Sequence, residues 1–250
     1  MFQFLFKTKQ VFFCLAFCLL GAGPGLAGTD VATVLISFDV EKYDDFDLLD
    51  QMNLDVPTTY FITGELAEML PDRVGGLAVP GNTIGSHSFL HIDLTKLPDD
   101  EVKEQLETSK VLLENLANGQ PVLWYRAPFL ENDQRIINIA IQLGYKFTSS
   151  SFESQQELEG IDSIPISIGS WYLEAVDYVW FTEFNLENEL ALDYLINSFE
   201  RSKVIERPLV ILLHPSIISE HKEVLWDFIK YARENNGVFL SFTDYMQTLH

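Results

Sequence analysis

Residues 33–41 read TVLISFDVE. The first part of the stretch is apolar and partly β-branched, which reads as a buried strand. It ends in two acids, Asp39 and Glu41, two positions apart. On a strand, residues i and i+2 project to the same side. Two carboxylates so placed repel each other unless positive charge lies beside them. A metal ion on one and a proton-transfer role for the other would relieve that repulsion. The plain alternative is a solvated strand end, prolonged by Asp44, Asp45 and Asp47.

Working outward, further strand-like runs occur at 57–64 (PTTYFITG), 122–128 (VLWYRAP), 145–150 (YKFTSS), 208–214 (PLVILLH) and 237–242 (GVFLSF). Helical periods lie between them. Val102, Leu106, Ser109, Leu113 and Leu116 mark one face, after LPDDE. Ile136, Ile137, Ala140, Ile141 and Leu143 mark a second, closed by Gly144. Leu190, Tyr194, Leu195 and Phe199 mark a third, and Val224, Leu225, Phe228, Ile229 and Ala232 a fourth. Residues 71–85 are rich in Gly and Pro and read largely as loop. Strands alternating with helices predict an α/β fold with a mostly parallel sheet, and the length suits one barrel-like domain. Asp39, Arg126 and His214 each close a predicted strand. In a parallel barrel such ends share one rim, where active sites sit.

The chain has five histidines in 250 residues, yet His87 and His91 stand four apart in GSHSFLH (85–91). If the segment is helical they share a face, and with one carboxylate they make a three-ligand site with open positions. Zinc is the favoured ion for such a set, with ferrous iron, cobalt and nickel also acceptable. A partly exposed pair with no ligand is the simpler alternative. Arg126, in YRAPF (125–129), sits in an apolar run, where an arginine usually pairs with a carboxylate. His214, in LLHP (212–215), follows an apolar strand, where a core histidine is the common case. Residues 170–181 (SWYLEAVDYVWF) carry Trp171, Tyr172, Tyr178, Trp180 and Phe181. They read either as a sugar-stacking platform led by Trp171 or as core aromatics.

In order and spacing these segments resemble the polysaccharide deacetylase (NodB-like) family, carbohydrate esterase family four. SFDVE is similar to its first motif, and GSHSFLH with IDLTKL (92–97) to its metal-binding motif. YRAPF is similar to the Arg-bearing motif and LLHP to the last, His-bearing one. The resemblance runs from about Thr33 to the C-terminus. It implies a distorted (β/α) barrel of about seven strands, a metal-dependent hydrolase of amide bonds. Acetyl groups would be removed from N-acetylglucosamine polymers such as chitin oligosaccharides, peptidoglycan or exopolysaccharide. By position it implies Glu41, His87 and His91 as metal ligands and Asp39 as general base, held by Arg126. The backbone N–H of Phe129 would stabilise the oxyanion, and His214 would protonate the leaving amine. Trp171 would line the groove. The chain departs from the family pattern twice. Val40 moves the second acid to Glu41, and Thr148, Ser149 and Ser150 stand where members often carry DSS, which removes the usual acidic neighbour of the catalytic histidine. These departures motivate a carbohydrate-binding pseudoenzyme as the alternative. An O-acetyl esterase acting on xylan-like polymers is the other.

The N-terminus carries Lys7 and Lys9, a short apolar run at 11–20, and small residues Gly25 and Ala27. That layout predicts a signal peptide over 1–27, a catalytic domain over 28–250, and an exported product, periplasmic or secreted. Both cysteines, Cys14 and Cys18, fall in the leader, so a processed chain has neither disulfide nor thiol nucleophile. The net charge of −21 disfavours nucleic acid and anionic lipid as partners. The expected partner is an acetylated glycan, met by a monomer with no membrane span after processing.

Overall fold

The computed structural model describes residues 30–156 and 158–249. The expected leader therefore lies outside the described residues. The chain opens on β1 (Ala32–Val40), followed by α1 (Asp45–Met52), β2 (Thr58–Ile62), α2 (Gly64–Met69), α3 (Pro71–Leu77) and β3 (Thr83–Ser86). Next come α4 (Asp99–Leu116), β4 (Trp124–Tyr125), α5 (Gln134–Gln142), β5 (Phe147–Thr148) and β6 (Asp162–Ser163). The remainder is α6 (Asn188–Ile205), β7 (Leu209–Leu213), α7 (Pro215–Ile218), α8 (Lys222–Glu234), β8 (Gly237–Phe239) and α9 (Phe242–Thr248). Seven strands lie in the order β6-β5-β4-β3-β2-β1-β7, and β8 pairs with the start of β1. Every strand pairing is parallel. Between β6 and β7 irregular chain takes the place of a strand. Ser167 N–H donates to Val210 O, and Leu212 N–H to Ala175 O. The expected distorted (β/α) barrel of about seven strands is the fold observed. No helix among the described residues is long and apolar enough to cross a membrane.

Strand parity sorts the side chains into two cores. Val34, Ile36, Phe38 and Val40 pack outward with helix residues such as Leu106, Phe199 and Phe228. Leu35, Phe61, Trp124, Ile164, Val210 and Phe242 form a second, smaller cluster inside the sheet. Alternation then dictates what stands above that inner layer. Above Leu35 on β1 come Ser37, Asp39 and Glu41; above Gly85 comes His87; above Trp124 comes Arg126; above Val210 and Leu212 comes His214. Glu41, His87, Arg126 and His214 are each the first residue past their strand. The barrel interior is thus apolar below and polar at the C-terminal rim.

The span 71–85, read from its glycines and prolines as loop, holds α3 and β3 instead. Pro71 starts a helix, where its missing N–H is no loss. Gly85 is a packing residue in a strand: a Cβ there would sit 2.7 Å from the Phe61 ring and 3.3 Å from Trp124 Cβ. The two residues of β6 carry no apolar pattern, and α1 is masked by its acids.

Replacing Gly85 with Ala should therefore lower stability by about 1–3 kcal/mol. Gly76→Ala, in α3 with nothing within 4 Å of the new Cβ, should leave it unchanged or raise it slightly. Urea unfolding of the two variants checks the contrast.

Candidate active site

The polar rim is organised by one guanidinium. Arg126 is 0% exposed. Its Nη1 donates to Asp39 Oδ1 at 2.7 Å, and its Nη2 to Ser37 Oγ at 3.0 Å and Ser149 Oγ at 2.9 Å. Its Nε donates to Ser149 O at 2.8 Å. The plane lies 4.1 Å from the centroid of the Phe61 ring, an electrostatically favourable contact. Burial lowers its pKa, while the Asp39 carboxylate works against that. A buried arginine with this many partners fixes its carboxylate partner in one orientation. Asp39, itself 4% exposed, keeps Oδ2 turned away, 3.6 Å from His87 Nε2.

Arg126 also sets the tautomer of His87. His87 Nδ1 lies 2.9 Å from the Arg126 carbonyl oxygen, which can only accept, so Nδ1 carries the proton. In the neutral ring Nε2 is then a lone pair aimed at carboxylates. Glu41 Oε1 is 3.3 Å from His87 Nε2 and 3.1 Å from His91 Nε2. Burial would raise the Glu41 pKa, but the two imidazoles outweigh it and hold the carboxyl well below its usual range. His87 shows the complement: burial lowers its pKa, Asp39 and Glu41 overcome that, and the net direction is up. With both rings neutral, their lone pairs and the carboxylate oppose one another, and a proton or a cation supplies the positive charge that relieves this. Their ligand atoms lie within 4.8 Å of one another, and the set of two imidazoles and one carboxylate fits a divalent cation with open positions.

The two histidines do not lie on a helix, as the spacing suggested. After β3 the chain is an irregular loop, with Ser88 at a φ of 61°. The loop is pinned from several sides. Gly64 and Glu65, at the start of α2, donate N–H groups to Ser88 O and Phe89 O, both at 2.9 Å. Leu90 N–H donates to Gln105 Oε1 of α4 at 2.7 Å. Left-handed backbone at Ser88 excludes a helical turn, yet the loop still brings the two imidazole centroids 5.0 Å apart.

His214 has the acid that position 148 lacks. Asp177, 0% exposed, accepts from His214 Nδ1 at 2.7 Å through Oδ1, and from the His214 backbone N–H at 2.7 Å through Oδ2. The irregular segment that closes the barrel delivers it, through a parallel bridge between Val176 and Leu212. Asp177 falls in the aromatic-rich segment 170–181. It is one of two acids in that run, with Glu174, and nothing local in the sequence sets it apart. Burial would lower the His214 pKa, but Asp177 first, and then Asp39 and Glu41, push it up to about 9.

These groups face an open cleft of roughly 560 Å³, whose lining includes Asp39, Glu41, His91, Phe129, Tyr178 and His214. Phe129, 61% exposed, lies against His91 with centroids 4.4 Å apart. Its backbone is left-handed, φ 59°, in the turn after β4. Lys42 reaches Ser216 Oγ at 2.9 Å on the same rim. The structure does not bring Trp171 into this cleft. It packs on Tyr194 at 5.9 Å in a separate left-handed turn. Tyr178, half-exposed, is the member of that aromatic run that lines the cleft.

Residues 28–148 match the family described as Polysaccharide deacetylase. The chain is 26% identical over 191 residues to the peptidoglycan-N-acetylmuramic acid deacetylase of Bacillus subtilis, which covers 76% of this chain and 61% of that one. It is 36% identical over 85 residues to a peptidoglycan-N-acetylglucosamine deacetylase of Bacillus cereus, covering 34% of this chain and 30% of the relative. The chain thus spans less than two thirds of either relative's length. Among solved structures, a protein of Mycobacterium smegmatis assigned as a polysaccharide deacetylase aligns with a TM-score of 0.71. It is 18% identical and covers 91% of this chain and 92% of that one.

The Asp177–His214 pair has a measurable signature. With the folded pKa of His214 raised to about 9 from 6.5, the pair stabilises the fold fully below about pH 6.5, and that contribution disappears as pH rises through 9. A cation at Glu41 would offset the Asp39 and Glu41 part of the shift and leave the Asp177 part. Imidazole NMR titration should place His214 above 6.5 in the wild type and move it down in Asp177→Asn.

Proposed function

The chain belongs to the polysaccharide deacetylase family, and we propose that it is an exported, metal-dependent hydrolase of N-acetyl groups on N-acetylglucosamine-containing glycans. The observation that carries this reading is the convergence of Glu41, His87 and His91 beside an Arg126-held Asp39, with an Asp177-held His214 on the same cleft. In this proposal Glu41, His87 and His91 hold one divalent ion. Zinc suits two imidazoles and a carboxylate best. When bound, it supplies a polarising charge for the acetyl oxygen and activates water near neutral pH.

The remaining chemistry belongs to the chain. Asp39 takes a proton from the attacking water through Oδ2, because Arg126 occupies Oδ1. His214, kept protonated by Asp177, gives a proton to the leaving amine. The main-chain N–H of Phe129 serves the developing oxyanion. Phe129 and Tyr178, exposed on the cleft, offer ring faces to the sugar. An acidic surface favours a neutral or cationic glycan over an anionic one. Export rests on the leader pattern at 1–27, with 28–250 acting as one catalytic domain.

Acetate release from N-acetylglucosamine oligomers is the test. A chelator should abolish it and zinc restore it. Asp39→Asn should lower kcat by about 10²–10⁴-fold with little change in KM. Zinc-loaded protein inert on a broad panel of acetylated glycans would overturn the proposal.

A further inference from the structure

The acids after β1 divide into two kinds. Asp44 and Asp47 are exposed, while Asp45, the first residue of α1, is 2% exposed. Its Oδ2 accepts the backbone N–H groups of both Glu41 and Lys42, each at 2.8 Å. Its own N–H donates back to Lys42 O at 3.0 Å. Its Oδ1 is buried and has no hydrogen-bond partner among the described residues. The side chain therefore reaches backward over the turn, in the sense of a capping box, instead of forward along its helix.

This placement matters because the sheet stops holding the chain one residue earlier. Val40 is the last β1 residue in register with β2, opposite Ile62, and the β7 register ends at Phe38. Beyond Val40 the N–H groups of Glu41 and Lys42 both turn to Asp45 as their acceptor. Burying a carboxylate with one oxygen unpaired is unfavourable. A surface helix start needs no such arrangement, since Asp44 at the same turn stays in water. The burial is explained if what it secures is the direction of Glu41.

The geometry points to Asp45 as a positioning residue: its carboxylate clamps the Glu41–Lys42 turn and aims the Glu41 side chain at His87 and His91. This inference rests on Glu41 being a ligand, as proposed above. Its consequence is a site whose carboxylate is in place before the cation arrives, so that loss of the clamp weakens the ion's hold without removing any ligand. Groups one layer removed from a metal commonly act in this way.

The experiment is a zinc-affinity measurement by competition with a chromophoric chelator, on full-length protein, beside the melting temperature of the metal-free form. Asp45→Ala should weaken zinc binding by about 10–100-fold. Asp45→Asn, whose amide oxygen still accepts both N–H bonds, should stay within about threefold of wild type. If Asp45→Ala fails to fold, Asp45→Ser, with a single acceptor, should fall between the two. Wild-type affinity in Asp45→Ala, or in Asp45→Ser where Ala does not fold, would overturn the inference. So would equal losses in Asp45→Ala and Asp45→Asn, because charge and not backbone clamping would then be the cause. Glu41→Gln separates the two levels: if it binds zinc as tightly as wild type, Glu41 is no ligand, and the functional reading itself fails.

Discussion

The site depends on keeping a charged guanidinium inside a protein. Taking Arg126 and Asp39 out of water is strongly unfavourable, and their attraction offsets that only when geometry is good and the remaining protons are satisfied. Here Ser37, Ser149 and the Phe61 ring complete the set. The partners come from β1, β2 and the end of β5, so the ion pair forms only when distant parts of the chain are correctly assembled. An apolar residue at position 126 could hold the barrel as well. It could not leave Asp39 with one oxygen committed and one free. The cluster is better explained by orientation than by stability.

Parity makes the arrangement economical. A residue two positions above an inward apolar side chain on a parallel strand faces the rim, whatever strand it is on. Glu41, His87, Arg126 and His214 each occupy the first position past their strand. That single rule brings together residues as far apart in sequence as Glu41 and His214. The irregular closure between β6 and β7 completes the set. From it the Asp177 carboxylate bonds both the ring and the backbone N–H of His214.

Much of this was legible in the sequence, for physical reasons. Long apolar strands such as β1 and β7 and amphipathic helices such as α4 and α8 carry strong periodicity. Polar residues that interrupt a buried run at its end announce the rim, and so Asp39, Arg126 and His214 could be placed there together. What escaped lacked a local pattern. β3 is four residues long, and its Gly85 answers to the Phe61 ring, which only the assembled sheet reveals. The loop carrying His87 and His91 mimics helical spacing while its conformation is imposed by contacts with α2 and α4. Asp177 and Asp45 look like surface acids in sequence. Their roles come from where the chain turns, and neither turn has a compositional signature.

In the proposed centre Glu41, His87 and His91 hold one divalent cation next to Asp39. An anomalous-difference map from zinc-loaded crystals tests it most directly. One peak is expected between the Glu41 carboxylate and the Nε2 atoms of both histidines, at about 2.0–2.2 Å from each. Asp39 would be bonded to Arg126 and not to the ion. A peak bound through Nδ1, a peak elsewhere on the acidic surface, or no peak at all would contradict it.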